Sequence, residues 1–317
     1  MAVADRLASG LRILTEGCGV LDRSERGKLA LAGADAATFL QGQVTNDVEA
    51  LDPGQGCYAA FLTQKGKMLG DLRILATEEE LLLDTERSAL QALFNLIRRF
   101  SVGYDVVLHK RTLERCLISL IGPDARRAAG AEDLPREEHS HRATEIAGVP
   151  VRVVATDVGL DVVADAEHAR TLRGALATAG AEPVADDAAE ALRVELGRPR
   201  FGVDLDETTI PQEAGLNERA VSFTKGCYVG QETVARLFYR GKPNRHLRGL
   251  SLSAAASTGD EVRLGERVVG ALGSVALSPS FGPIALALVR REAEPGTTVA
   301  VGESGAPAEV VSLPFRR

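Results

Sequence analysis

Residues 56–85 read GCYAAFLTQKGKMLGDLRILATEEELLLDT, and this stretch decides the first part of the fold. Its apolar runs are broken by QKG at residues 64–66 and by TEE at residues 77–79. Glycine and short polar clusters between apolar runs are typical of turns that join consecutive strands. The stretch therefore predicts a meander of three β-strands.

The segments on either side of the meander predict the rest of a first unit. Downstream, SALQALFNLIRRF (residues 88–100) predicts an amphipathic helix that lies on the sheet, because its apolar residues recur at i, i+3, i+4 and i+7. Upstream, strand-like segments at residues 19–24 and 27–33 lead into a helix that Asp35 can cap. Residues 1–103 are thus predicted to form an α+β unit. The apolar positions of the downstream helix are Leu90, Leu93, Phe94 and Ile97.

A similar pattern recurs in residues 104–244, which predict a second α+β unit, with the chain free to cross between the two. The polar stretch at residues 131–143 contains His139 and His141, which we expect to be solvated, and we predict no metal site. Strands are expected near residues 104–109, 116–121, 149–155 and 160–164, and helices near residues 124–129, 167–179 and 186–196.

Beyond residue 244 the character of the chain changes. Short apolar segments follow one another, spaced by Gly, Pro and Asp, and none of them has a helical period. This pattern is typical of small β-barrels and sandwiches. Residues 245–317 are therefore predicted to form a small, separable β-barrel.

Composition and charge exclude several classes of protein. The chain of 317 residues has 45% hydrophobic and 26% charged residues, which is ordinary for a folded protein. Its net charge of −7 gives no support for direct nucleic-acid binding. The four cysteines lack CxxC spacing, which argues against a zinc ribbon and a disulfide scaffold. With neither a signal-like start nor an apolar run long enough for a membrane span, we expect a cytoplasmic protein.

The octet KGCYVGQE at residues 225–232 raises a chemical question. Its two glycines predict a turn or a tight strand end rather than a helix interior. Cys227 is either a reactive thiol, with Lys225 and loop N–H groups lowering its pKa, or a small residue that fills the turn. The other cysteines, Cys18, Cys57 and Cys116, lie in or beside apolar strands and are expected in the core.

Five blocks in the same order resemble the folate-binding YgfZ family, a branch of the superfamily of the glycine-cleavage T protein (aminomethyltransferase). The octet matches the family signature without departure. The other blocks are DAATFLQGQVTNDV (35–48), LTQKGKMLGDLRI (62–74), ELGRPRFGVDLDETTIPQEAGL (195–216) and VARLFYRGKPNRHLRGL (234–250).

The resemblance implies an α+β fold in which two ferredoxin-like units and a small C-terminal β-barrel form a ring. It implies tetrahydrofolate in the central opening, with the barrel closing the site without supplying its chemistry. The implied function is support of the assembly or repair of iron-sulfur enzymes, including tRNA-modifying ones, as client proteins. The alternative is a folate-dependent one-carbon (aminomethyl) transferase or demethylase.

The resemblance also suggests site residues. A pterin edge is read by a carboxylate, and Asp157 in TDVGLDV (156–162) falls where T proteins place a glutamate. T proteins carry an Asp-Asp pair before a strand, of which this chain retains Asp71 but has Gly70 in place of the first. Asp157 is alternatively a turn residue and Asp71 a ligand to a backbone N–H.

The signature segment supplies the remaining candidates. Gly226 and Gly230 would allow close backbone approach, Tyr228 would lie against the folate or simply pack, and Gln231 and Glu232 would bind ligand or satisfy buried polar groups. Arg236 belongs to a run of basic residues between positions 219 and 248 that would suit the glutamate tail of folate. A solvated surface run is the alternative.

Overall fold

The computed structural model describes residues 3–316, and residues 1, 2 and 317 lie outside the described part. None of the helices in the described part is long and apolar enough to cross a membrane. The first part of the chain contains α1 (Val3–Glu16), β1 (Gly19–Asp22), β2 (Gly27–Ala32), α2 (Ala36–Gln41), β3 (Gly56–Leu62), β4 (Met68–Ala76), β5 (Glu80–Thr85), α3 (Arg87–Phe100) and β6 (Val107–Lys110).

The second part continues with a similar alternation of strands and helices. It contains β7 (Arg115–Ile121), α4 (Ala125–Ala128), β8 (His141–Ile146), β9 (Val149–Thr156), β10 (Gly159–Asp165), a 3₁₀ turn (Ala166–His168), α5 (Ala169–Thr178), β11 (Glu182–Pro183) and α6 (Asp186–Glu195). The third part of the chain contains α7 (Asn217–Ala220), α8 (Gln231–Arg240), β12 (Arg245–Leu252), β13 (Glu261–Leu264), β14 (Arg267–Ser278), β15 (Gly282–Arg290), β16 (Thr298–Val301) and β17 (Ala306–Val311).

The first sheet is five-stranded, in the order β3-β4-β5-β2-β6. The meander is confirmed, since β3 pairs antiparallel with β4 and β4 with β5. Helix α3 buries Leu90, Leu93 and Ile97 against this sheet. Because side chains alternate along a strand, Leu72 and Ile74 of β4 join the core under α3, whereas Asp71 and Arg73 point to the opposite face.

The second sheet is six-stranded, in the order β11-β1-β7-β10-β9-β8. The two sheets exchange strands along the chain: β1 pairs with β7 in the second sheet, and β6 pairs with β2 in the first. The proposed boundary at residue 103 therefore separates chain segments rather than sheets. Strands β7 and β10 form the middle of the second sheet and place Ser119 and Asp161 opposite each other.

The expectation that His139 and His141 are solvated was wrong. His139 is 8% exposed and His141 is 3% exposed. The polar stretch around them packs against the first sheet because the His141 backbone N–H donates to the Gly54 carbonyl, and residues from His141 onward form strand β8. The polar stretch that contains His139 and His141 thus covers the junction between the two sheets.

Helix α6 connects the second sheet with the barrel. Its Ala188 and Ala191 pack against Leu7 and Leu11 of α1. Its Val194 is buried in a separate cluster with strands of the barrel. The last six strands close a barrel in the order β12-β15-β14-β13-β16-β17, so the predicted α+β fold with a C-terminal β-barrel is confirmed. The last barrel strand, β17, was not predicted from the sequence, and neither were helices α1 and α8.

Candidate functional site

A cavity of about 650 Å³ lies between the two sheets. This volume is within the range of small-molecule sites, roughly 300–1,000 Å³. Its walls come from β3, β4 and β5 of the first sheet, from β1, β7 and β10 of the second, and from α6 and the segment after it. No barrel residue of the described chain lines this cavity. Two of the predicted site residues, Asp71 and Asp157, do line it.

Asp71 is bonded to a tyrosine of the neighbouring strand. In the antiparallel register Ala60 lies opposite Asp71 and Tyr58 opposite Arg73, so Tyr58 is a diagonal neighbour on the same face. The Tyr58 hydroxyl donates to Asp71 Oδ2 over 2.6 Å. Burial raises the pKa of Asp71 to about 6, although the Tyr58 hydrogen bond acts in the opposite direction. Asp71 is thus a buried carboxyl that titrates near neutral pH.

Arg73 joins the two sheets across the cavity. Its Nη1 donates to Asp161 Oδ2 over 2.6 Å, and its Nη2 lies 2.9 Å from Asp84 Oδ2. Ser119 donates to the other oxygen of Asp161 over 2.6 Å. Burial by itself would raise the pKa of Asp84, but the charges of Arg26 and Arg73 lower it below the usual value. The floor of the cavity is therefore a fixed network of charges.

Asp157 lies at the turn between β9 and β10, and its side chain is 26% exposed. Its Oδ2 accepts a hydrogen bond from Arg198 Nε at 2.7 Å and lies 3.8 Å from Arg219 Nη2. Arg219 also pairs with Glu138. One oxygen of Asp157 is thus held by arginines, and among residues 3–316 the other has no hydrogen-bond donor.

His139 borders the same cavity in an uncommon conformation. Its φ is 72°, in the left-handed region that is rare for residues other than glycine. Burial, together with the charges of Arg73 and Arg219, lowers its pKa to about 3. The imidazole is therefore neutral at physiological pH. The described residues contain no cluster of three or more His, Cys, Asp and Glu side chains suited to a metal ion.

The signature octet lies elsewhere: none of residues 225–232 lines the cavity, and neither does Arg236, which is exposed. Lys225 points away from the solvent and donates through Nζ to three carbonyl oxygens of the α2–β3 connection. Burial lowers its pKa to about 8. The acceptors are Gln41 O at 2.7 Å, Val44 O at 2.9 Å and Asn46 O at 2.7 Å.

The two glycines of the octet differ in their surroundings. Gly230 has φ 85°, and a Cβ there would lie 2.5 Å from the Thr63 carbonyl oxygen, so only glycine fits at the start of α8. A Cβ at Gly226 would meet no atom within 4 Å. Beyond Gly230, Gln231 and Glu232 form the first turn of α8. The octet is therefore a turn that leads into the first turn of helix α8.

Among the four cysteines, Cys227 is the exposed one. Cys18 and Cys116 are buried and Cys57 is half-buried. Burial raises the pKa of Cys18 to about 11 and that of Cys57 to about 12. The ring of Tyr228 is buried in the hydrophobic core of the first sheet, with Lys225 Nζ 5.2 Å from its centroid.

Sequence analysis overlooked Tyr58, Arg73 and Asp161. A signal was present for Arg73, because the spacing Asp71-Leu72-Arg73 in a strand places both charged side chains on one face, opposite the apolar residues between them. Asp161 lies two residues after Gly159, so the two positions lie on the same face of strand β10. Their contact across 88 residues of chain had no signal in the sequence.

Comparison with known proteins identifies relatives for both parts of the chain. The family model described as "GCVT N-terminal domain" matches residues 3–225, and the one described as "Glycine cleavage T-protein C-terminal barrel domain" matches residues 245–316.

Two curated relatives differ in name. An aminomethyltransferase of Rubrobacter xylanophilus is 32% identical over 94% of this chain and 83% of its own length. The tRNA-modifying protein YgfZ of Yersinia pestis is 32% identical over 75% of this chain and 73% of its own length. The similarity therefore does not separate the YgfZ branch from the aminomethyltransferases.

A solved structure has the same fold. The aminomethyltransferase T of the glycine cleavage system from Bartonella henselae superposes with a TM-score of 0.85, covering 98% of this chain and 89% of its own. The two sequences are 24% identical, so this likeness concerns the fold alone.

Proposed function

The chain belongs to the family of the glycine cleavage T-protein, and from this membership we propose that it binds a reduced folate, tetrahydrofolate, in the central cavity. A reduced folate combines a polar pterin, an apolar aminobenzoyl group and a carboxylate tail. The observation that carries the proposal is the cavity itself, in which the carboxyls of Asp71 and Asp157 and the Tyr58 hydroxyl face one space between the sheets.

The remaining walls supply matching chemistry for each part of such a ligand. Asp157 offers a carboxylate oxygen without a protein donor to the N–H groups of a pterin. Leu21 and Ile121 offer apolar surface to an aminobenzoyl ring. Arg23 lines the cavity and has no carboxylate within 4.0 Å among residues 3–316, which suits the ligand's tail.

We place the biological role of the folate-bound protein in the support of iron-sulfur enzymes, including tRNA-modifying ones. Cys227 carries this part of the proposal because it is an exposed thiol on a loop fixed by Lys225 and by Gly230. A thiol in this position is accessible to a client protein from outside the cavity. The loop lies outside the cavity, so ligand binding and thiol chemistry occupy separate parts of the molecule.

A second function, folate-dependent one-carbon transfer or demethylation, is favoured by Asp71. Its pKa of about 6 suits a group that takes up and releases a proton near neutral pH. The bound folate would supply the one-carbon acceptor, and Asp71 would hold or accept a proton at its Oδ atoms. Tyr58 would keep the carboxylate oriented towards the cavity through its 2.6 Å hydrogen bond.

Three measurements test the proposal and separate its alternatives. Anaerobic calorimetry with tetrahydrofolate should reveal a single site, whereas a parallel titration with tRNA should show no direct binding. Absence of folate binding would refute the proposal. Turnover of methylene-tetrahydrofolate that is lost in Asp71→Asn would favour the transferase, whereas folate binding without turnover would favour the iron-sulfur role.

A further inference from the structure

A second cavity, of about 390 Å³, lies between the same two sheets on the far side of Arg73. Its apolar wall includes Leu75 and Leu82 of the first sheet and Leu117 and Val163 of the second. Arg73 lines both cavities and separates them. Asp84 and Leu117 also line both cavities, whereas the remaining residues around the second cavity line it alone.

One guanidinium group in this cavity lacks a counter-ion. No carboxylate of residues 3–316 lies within 4.0 Å of Arg152, and Glu80 attracts it only from beyond that distance. Arg152 is half-buried, and this burial lowers the pKa of its guanidinium below the ordinary value. A cation in such an environment gains free energy when an anion approaches.

Arg152 is nevertheless held in a defined orientation. Its Nη1 lies 2.7 Å from His141 Nδ1, and His141 Nε2 lies 3.1 Å from the Gln55 carbonyl oxygen. A carbonyl oxygen only accepts, so Nε2 carries the proton and Nδ1 accepts from Arg152. Burial lowers the pKa of His141 to about 4, so the imidazole stays neutral. It orients the guanidinium without neutralising it.

Apart from the half-buried Glu80, the other charges around the cavity are already engaged or exposed to water. Lys28 donates to the carbonyl oxygens of Ser24 and Arg26, and Arg115 pairs with Asp165. Glu78 and Glu79 at the rim are exposed, where water and salt screen them. A buried Nε of Arg111 also lacks an acceptor. Arg111 is nevertheless paired with Glu114 through Nη1. The cavity therefore combines an apolar wall with one cation, Arg152, that has no carboxylate within 4.0 Å among residues 3–316.

We propose that this second cavity is a binding site for a small organic anion with an apolar body, whose carboxylate or equivalent group pairs with Arg152. The apolar body packs against the leucine and valine side chains between the sheets, and the anionic group replaces the missing counter-ion. The site is distinct from the central cavity and does not depend on folate binding there.

The proposal is tested with the full-length protein and a matched pair of probes, 4-fluorobenzoate and its neutral amide, 4-fluorobenzamide, observed by fluorine NMR. The benzoate should bind at least about tenfold more tightly than the amide, because only the benzoate forms a charge-assisted pair. Saturating tetrahydrofolate should not displace it, which separates this site from the central cavity. Equal affinity of the two probes, no binding of either, or full displacement by tetrahydrofolate would each overturn the proposal.

Two variants locate the site, and one serves as control. Arg152→Gln should abolish the preference for the benzoate, whereas Arg115→Gln, which removes a cation already paired with Asp165, should keep it. Ala143→Phe changes an exposed strand residue at the cavity wall, and the added ring should exclude both probes without altering the fold. Benzoate binding that survives both Arg152→Gln and Ala143→Phe would place the anion elsewhere and refute the inference.

Discussion

The hydroxyl of Tyr58 donates to the Asp71 carboxylate over 2.6 Å, across two strands of one sheet and facing the central cavity. This contact fixes a buried carboxyl that lines the candidate site. The pKa of Asp71 can be measured through the pH dependence of the protein's stability.

Asp71 should make the stability of the protein depend on pH. Its folded-state pKa of about 6 lies above the ~3.9 of an unfolded aspartate. The contribution of Asp71 to the unfolding free energy is therefore fully present below about pH 4, and it is lost as the pH rises through about 6. Because Asp71→Asn lacks this titrating group, the unfolding free energy of the wild type should fall by on the order of 3 kcal/mol relative to that of the variant between about pH 4 and about pH 6.

Urea unfolding at several pH values measures this difference. The exposed Asp52 provides a control, because Asp52→Asn changes the same atoms outside the cavity. A difference between Asp71→Asn and wild type that does not change with pH would contradict the raised pKa.

Asp157→Ala should weaken the binding of tetrahydrofolate about tenfold to a hundredfold, since the ligand would lose a charge-assisted contact of ~1.5–3 kcal/mol. Calorimetry under anaerobic conditions gives the dissociation constant. Asp133→Ala is a matched control, because Asp133 also pairs with an arginine, Arg142, but does not line the cavity. An unchanged affinity in Asp157→Ala would remove this residue from the site.

Cys227 should be alkylated by iodoacetamide before any other cysteine. Cys227 is exposed, whereas burial raises the pKa of Cys18 to about 11 and of Cys57 to about 12. Peptide mass spectrometry after brief labelling at neutral pH reads the order directly. Because the octet lies outside the central cavity, tetrahydrofolate should leave the labelling rate of Cys227 unchanged.

The same thiol should matter in the cell without affecting the fold. Cys227→Ser should keep its Tm and folate affinity but fail to restore iron-sulfur enzyme activity in a cell that lacks the protein. Cys57→Ser, at a half-buried position, should restore it. Full rescue by Cys227→Ser would assign the octet a purely structural role.

Gly230→Ala should destabilise the protein by about 1–3 kcal/mol, because alanine is strained at a φ of 85° and its Cβ would lie 2.5 Å from the Thr63 carbonyl oxygen. Gly226→Ala is the matched control in the same octet, where the added Cβ meets nothing within 4 Å. Thermal unfolding of both variants measures the difference. Equal melting temperatures would show that the start of α8 adjusts without cost.

The sequence by itself determined the elements whose side chains alternate in a regular period. The meander, helix α3 with its buried Leu90 and Leu93, and most of the barrel strands follow from apolar periodicity and from the position of turn residues. The octet was predicted as a turn or a tight strand end from its two glycines, and in the structure Gly230 adopts a φ of 85° at the start of α8. These features depend on near neighbours in the chain.

Only the tertiary structure decided which strands share a sheet and which charged residues meet. Strand β1 joins the second sheet, and Arg73 reaches Asp161, which lies 88 residues away in the chain. The burial of His139 depends on the same packing of one sheet against the other. These contacts join distant parts of the chain. Sequence periodicity describes only one element at a time, so periodicity predicts the face on which a side chain lies but not the residue that the side chain contacts.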